Sequence, residues 1–251
     1  MAMSRSAPEP VGTDVRAYLH ELTARLTAIL DGRLVGAWLV GSGALDDYDA
    51  RRSDIDVQAV CATRPRRSEL ERLATILSHD ALPCPARGLE FVLYAQDDLP
   101  DPRGPAFVLN LNTGARMRHH IGLDPDAEPR FWFTLDVAIA REHGRALAGA
   151  PPADVLPALP RALLVDALRD AVAWYSTRDG AEAILALSRA WAWAADGRWL
   201  SKAAAATWAA ARLDDPSPVK RALDRRGDPL APAPTPGDVA ALLKVVEAVV
   251  R

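Results

Sequence analysis

The stretch from Leu34 to Val57 limits the fold more than any other. An apolar run, Leu34-Val35-Gly36-Ala37-Trp38-Leu39-Val40, stops at Gly41-Ser42. A polar segment, Asp46-Asp47-Tyr48-Asp49-Ala50-Arg51-Arg52, reads as a loop, and Ser53-Asp54-Ile55-Asp56-Val57 then re-enters a strand. Side chains alternate faces along a strand, so Asp54 and Asp56 share one face while Ile55 and Val57 point to a core. Two carboxylates ~6.6 Å apart on one strand repel unless a cation sits near both. Hard oxygen ligands favour Mg²⁺. A Gly-Ser turn offers N–H groups and a hydroxyl to a phosphate. Metal and phosphate together point to nucleotide chemistry. The alternative is a solvated acidic strand end.

Around this stretch the pattern alternates between helix and strand. Val15, Leu19, Leu22, Leu26 and Ile29 recur at helical spacing from Thr13, and Asp31-Gly32 ends that helix. Strands are expected at 35–40, 54–61, 89–94 and 107–112. Ser68 and Glu71 have the spacing of a capping box, which starts a helix running to about His79. A further helix opens at Leu135, continues through Gly144 and stops at Gly149 before Pro151-Pro152. The prolines from Pro151 to Pro160 mark the best domain boundary. Beyond them the strand pattern ends, and helices are expected at 161–176, 179–196, 201–213, 217–226 and 237–250. Ser201 and Thr235 (or Asp238) are the candidate caps. The fold class is therefore α+β: a small mixed sheet with helices packed on it, followed by an all-helical domain. The domains are 13–152 and 153–251, and residues 1–12, rich in Ser, Pro and Glu, read as disordered.

Composition narrows the function classes. The 251 residues are 49% hydrophobic and 25% charged, with a net charge of −3. A duplex-binding protein is usually more basic, which weighs against nucleic acid. No apolar run approaches ~18 residues, so no membrane span is expected. The first ten residues lack the apolar core of a signal peptide, so a cytoplasmic location is expected. Cys61 and Cys84 form no metal motif.

Three further residues invite a chemical reading. Glu90 interrupts the apolar strand Leu89–Tyr94, on the face opposite Leu89 and Phe91. It is either an edge carboxylate in water or a third member of the Asp54–Asp56 cluster, because neighbouring strands lie ~4.8 Å apart. Arg189 sits in a strongly apolar helix, where a charge is costly unless paired, with Asp196 or Glu182, or facing a cleft. Lys202 follows Ser201 at a helix start, a favourable place for phosphate. The basic run Arg116-Met117-Arg118-His119-His120 reads as a solvated strand face, with phosphate binding as the lesser alternative.

The Gly41-Ser42 to Asp56 stretch resembles the signature of the polymerase-β-like nucleotidyltransferases. It looks most like the adenylyltransferases that modify streptomycin and spectinomycin. Leu-Glu-apolar at 89–91, Ala-Arg-Glu-His at 140–143 and Leu-x-Leu-Ser-Arg-x-Trp at 185–191 extend the resemblance over most of the chain, as does a lysine thirteen residues after Arg189. The resemblance implies Mg²⁺ ions, two in number, held by Asp54, Asp56 and Glu90, with Glu90 also the base on the acceptor hydroxyl. It assigns Gly41, Ser42 and Ser53 to the ATP co-substrate and puts Arg189 and Lys202 on its triphosphate. It places the acceptor, a small cationic amino sugar, near Trp174 and Asp179, and a site within one chain needs no partner, which suits a monomer. The chain departs from the family on this acceptor side. It is about four residues shorter between Trp174 and Asp179, and a pocket tryptophan expected near 114–120 is absent. Transfer to another small-molecule or protein acceptor, or nucleotide binding without catalysis, are the rival readings.

Overall fold

The computed structural model describes residues 12–178 and 180–250. The expected disorder at the N-terminus, and Asp179, lie outside them. The chain forms two compact units, each built from several segments. One comprises the chain up to Leu99, Phe107–Ala127 and Glu142–Val155. The other comprises Pro100–Ala106, Glu128–Arg141 and the chain from Leu156 onward.

The first unit is a six-stranded mixed sheet with helices. Helix α1 (Thr13–Leu30) buries Val15, Leu19, Leu22, Leu26 and Leu30 along one stripe and ends at Asp31 in the left-handed region. Strand β1 (Leu34–Leu39) leads into α2 (Gly41–Ala44), so the Gly-Ser pair opens a single helical turn. Strand β2 (Ile55–Cys61), helix α3 (Arg67–Ile76) and strand β3 (Leu89–Ala95) follow. Then come β4 (Phe107–Gly114) and β5 (Met117–Gly122). Helix α4 (Arg130–His143) precedes the last strand, β6 (Arg145–Gly149), and the short helix α5 (Pro152–Val155). The sheet order is β5-β4-β3-β2-β1-β6. Only β2 and β3 run parallel, joined by α3 as the crossover; the other pairs are antiparallel. The face against α1 and α3 is an apolar core holding Ile55, Val57, Leu89, Phe91, Leu93, Leu109 and Leu111. The basic run lies on β5, where Arg118, His119 and His120 are exposed at the sheet edge.

Two expectations from the sequence do not hold. Helix α3 does not start on the Ser68–Glu71 box. Its cap is Arg66, whose N–H donates to the Glu69 carboxylate at 2.7 Å. Glu69 also pairs with Arg33 on the turn before β1, while Glu71 is spent on Arg67 at 2.8 Å. A long-range ion pair therefore selects between two local frames. Nor does the α4 helix open at Leu135 and run to Gly149; it opens at Arg130. It ends at His143, and residues 145–149 form β6, in register with β1 from Leu39↔Arg145 to Gly36↔Gly149. These residues have helical propensity, but the open edge of β1 offers a ladder, and tertiary context overrides the weak local preference.

The second unit is helical: α4 together with α6 (Arg161–Ser176), α7 (Gly180–Asp196), α8 (Lys202–Ala210), α9 (Ser217–Gly227) and α10 (Pro236–Val249). Helix α7 is its axis. It packs against α6, α8, α9 and α10 and buries Ile184, Leu185, Leu187, Trp191 and Trp193. The caps expected from sequence are formed. The Ser201 hydroxyl accepts from Ala204 N–H at 3.2 Å, and Thr235 forms a capping box with Asp238. Among the described residues no helix is long and apolar enough to cross a membrane.

Candidate active site

In the sheet unit, register brings the expected carboxylates together. The parallel β2–β3 ladder pairs Asp56 with Glu90, so the two project from neighbouring strands on the same face. Their flanking residues Ile55, Val57, Leu89 and Phe91 are all in the core. Glu90 is exposed and Asp56 half-buried. Only this end of the face is accessible, because Gln58, Val60, Val92 and Tyr94 further along it are buried.

Gly41 makes room for Asp56. The backbone at Gly41 has φ +58, and a Cβ there would stand 2.0 Å from Asp56 Oδ2. The α2 turn and the β2 carboxylate are thus packed against each other in a way that only glycine permits. Val40 N–H donates to the Asp56 carbonyl at 2.9 Å, locking the end of β1 beside the start of β2.

Asp54 stands just before β2 and accepts from Arg87 at 3.1 Å. Ser53 is buried, and its hydroxyl accepts from Asp49 N–H at 3.0 Å, so it braces the preceding loop. Asp49 in turn accepts from Arg51 and Arg52, and the Arg51 hydrogen bonds hold its carboxyl well below the usual range. Arg145 on β6 clamps the other end of the loop through Asp46 at 2.6 Å. The loop is held by its own charges and by Arg145 of β6.

Among the described residues no three His, Cys, Asp or Glu side chains already gather as a ligand group. The donors nevertheless suit a hard cation. Asp56 and Glu90 are in register, and Asp54 precedes them by one turn of the pleat. The Arg87 side chain on Asp54 is half exposed.

The helical unit holds a separate cleft lined by Trp132, Leu135, Asp136, Tyr175, Arg189, Trp199 and Lys202, among others. Arg189 comes from α7 and Lys202 from the first position of α8; both are half-buried. This answers the question that an arginine in an apolar helix poses. Arg189 faces a cleft, and the electrostatic partner it meets there is Asp136 of α4. Asp196, one of the two partners considered from sequence with Glu182, is engaged instead by Trp208 at 2.7 Å and by Arg212. Asp136 escaped the sequence reading, although its signal was the same as that of Arg189: one charge in an apolar helix, Leu135-Asp136-Val137.

Trp174 lies in an aromatic group with Phe131, Trp132 and Tyr175. Trp132 meets it edge-on at 5.2 Å, and the Arg178 guanidinium sits over its ring at 3.9 Å.

The whole fold is similar to the spectinomycin adenyltransferase AAD(9) from Enterococcus faecialis, solved with ATP and spectinomycin. The TM-score is 0.67 at 14% identity, covering 93% of this chain and 98% of that one. The α+β fold is thus shared with that structure. The family description "aminoglycoside adenylyltransferase, C-terminal domain" matches residues 154–227. The aminoglycoside (3'') (9) adenylyltransferases of Shigella flexneri and Escherichia coli are each 31% identical over 218 residues, spanning 82% of this chain and 82% and 81% of theirs. The chain belongs to the aminoglycoside adenylyltransferase family and is a nucleotidyltransferase.

Proposed function

We propose that the protein transfers AMP from ATP to a hydroxyl of an aminoglycoside or aminocyclitol of the streptomycin or spectinomycin type, releasing pyrophosphate and inactivating the drug. The observation that carries this reading is the in-register pairing of Asp56 and Glu90 over Gly41. Asp54, Asp56 and Glu90 would hold Mg²⁺. Bound there, the ion supplies charge neutralisation for the transferring phosphoryl group. Glu90 accepts the proton of the acceptor hydroxyl. The hydroxyl oxygen bonds to the α-phosphorus as the bond to pyrophosphate breaks in line. Gly41, Ser42 and Ser53 support the nucleotide side of the sheet unit, Ser53 by bracing the loop. Arg189 and Lys202, converging in one cleft, bind the phosphates as charge-assisted donors. Trp174 and Asp179 belong to the acceptor side.

Incubation with ATP, Mg²⁺ and either streptomycin or spectinomycin, followed by mass spectrometry of the drug, tests the reading. The expected product is heavier by one AMP. Pyrophosphate release with neither drug changed would move the activity to another acceptor.

That second reading has one observation in its favour. The face of Trp174, an obvious seat for a cationic acceptor, is covered by Arg178 of the same chain. A cationic drug must displace Arg178 to reach that ring, whereas an anionic acceptor can pair with Arg178 in place.

A further inference from the structure

The cleft of the helical unit contains a carboxylate that a phosphate-binding site does not need. Asp136 projects from α4 among Trp132, Leu135 and Ile139, opposite Arg189 of α7 and Lys202 of α8. The remaining titratable group lining the cleft is the Tyr175 phenol on α6. Asp136 is open to the solvent of the cleft, yet protein atoms crowd it, most of them apolar. That crowding pushes its carboxyl up to about 6, and Arg189 and then Lys202 oppose the rise. A fixed anion beside two fixed cations competes with any phosphate that approaches them.

We propose that Asp136 is a built-in counterion for Arg189 and Lys202. It positions the two cations before a polyphosphate arrives and gives way by taking up a proton from solvent when one binds. The inference rests on the assignment of Arg189 and Lys202 to the phosphates. Its physical basis is an exchange of partners. Once a polyphosphate neutralises the two cations, what opposed protonation of Asp136 is gone and a new anion adjoins it. The carboxylate then binds one proton, with no other covalent change. Asp136 is a positioning residue, and it makes polyphosphate affinity depend on pH.

The test is calorimetric titration of the full-length protein with inorganic tripolyphosphate, without metal, at pH 5.5, 6.5 and 8. Buffers of different ionisation enthalpy report the protons taken up. Asp136→Asn and Asp136→Ser serve as neutral references, so that protonation of the probe itself cancels. At pH 8 both variants should bind about tenfold more tightly than the wild type, the penalty expected if binding raises the proton affinity of the carboxylate about tenfold. The advantage should vanish at pH 5.5, and proton uptake on binding should be lower in both variants than in the wild type near pH 7. Binding in all three proteins with equal proton uptake would overturn the counterion role and leave the phosphate assignment standing. Weaker binding by the variants at every pH would likewise make Asp136 a structural residue only. No binding by any of the three would overturn both the inference and the assignment of Arg189 and Lys202.

Discussion

At the scale of single residues, the site depends on Gly41 and Glu90 for different reasons, and substitutions separate them. Gly41→Ala sets a Cβ against the Asp56 carboxylate and forces an L-residue into the left-handed region. The backbone term alone is about 1–2 kcal/mol. Displacing Asp56 by even an ångström is enough to lower turnover about 100-fold. Chemical denaturation and kcat/KM for AMP transfer should therefore both fall, and unchanged turnover would remove Asp56 from the reaction. Glu90→Gln is the opposite case. The side chain is exposed, so stability should stay within about 0.5 kcal/mol of wild type. Turnover should fall about 10²- to 10⁴-fold, the usual contribution of a general base. Steady-state kinetics that leave kcat intact would assign the base elsewhere. Both residues were legible in the sequence because strand alternation and a Gly-Ser break are local signals. Asp136 was not, because its meaning depends on helices that come much later in the chain.

Elements show where local signals stop sufficing. Strands β1 to β4 follow from their apolar runs, and the long helices from their spacing. The start of α3 and the identity of β6 do not. Arg33 selects the Glu69 frame from 36 residues away, and β6 exists because β1 has an open edge. The Glu69 frame makes a pH prediction. Arg33, then the Arg66 N–H, depress the Glu69 carboxyl below its ordinary range. A depressed carboxylate stabilises the fold above its unfolded value, near pH 4.3, and loses that contribution as pH falls through the folded value. The wild type should therefore exceed Glu69→Gln in Tm at pH 6, and the gap should narrow as the pH is lowered through the acid range. A gap constant across that range would mean the pairing adds nothing. The cap of α8 gives a second check. Ser201 accepts from Ala204 N–H and directly precedes Lys202. Ser201→Ala should cost about 1 kcal/mol in denaturant unfolding. It should also weaken tripolyphosphate binding through looser placement of Lys202. A stability loss with unchanged binding would uncouple the cap from the cleft.

On the scale of the whole molecule, the two units are not two consecutive pieces of chain. Residues 100–106 and 128–141 belong to the helical unit although strands of the sheet unit flank them. Arg130 at the start of α4 ties these two segments together, donating to Asp101 at 3.2 Å and to the Gly104 carbonyl at 3.0 Å. Helix α4 buries Phe131, Phe133, Val137 and Ile139, and Phe131 packs on Ala167 and Ala171 of α6. A fragment of residues 1–155 keeps every strand but loses α6, so Phe131 loses the surface that covers it. Each large side chain so exposed forfeits about 1.5–3 kcal/mol. The fragment is therefore expected to bind a hydrophobic dye such as ANS strongly and to unfold at lower denaturant than the full chain. The complementary fragment, 156–251, keeps Arg189 and Lys202 but lacks the α4 wall that carries Trp132 and Asp136. It should bind tripolyphosphate without the proton uptake that Asp136 adds in the intact protein. A 1–155 fragment with a sharp transition and no dye binding would show that α4 is a dispensable appendage of the sheet. The interleaved segments argue for the reverse. The helical unit takes α4 from a segment that precedes the last strand of the sheet unit, so its apolar surface is complete only when α4 and α6 are both in place.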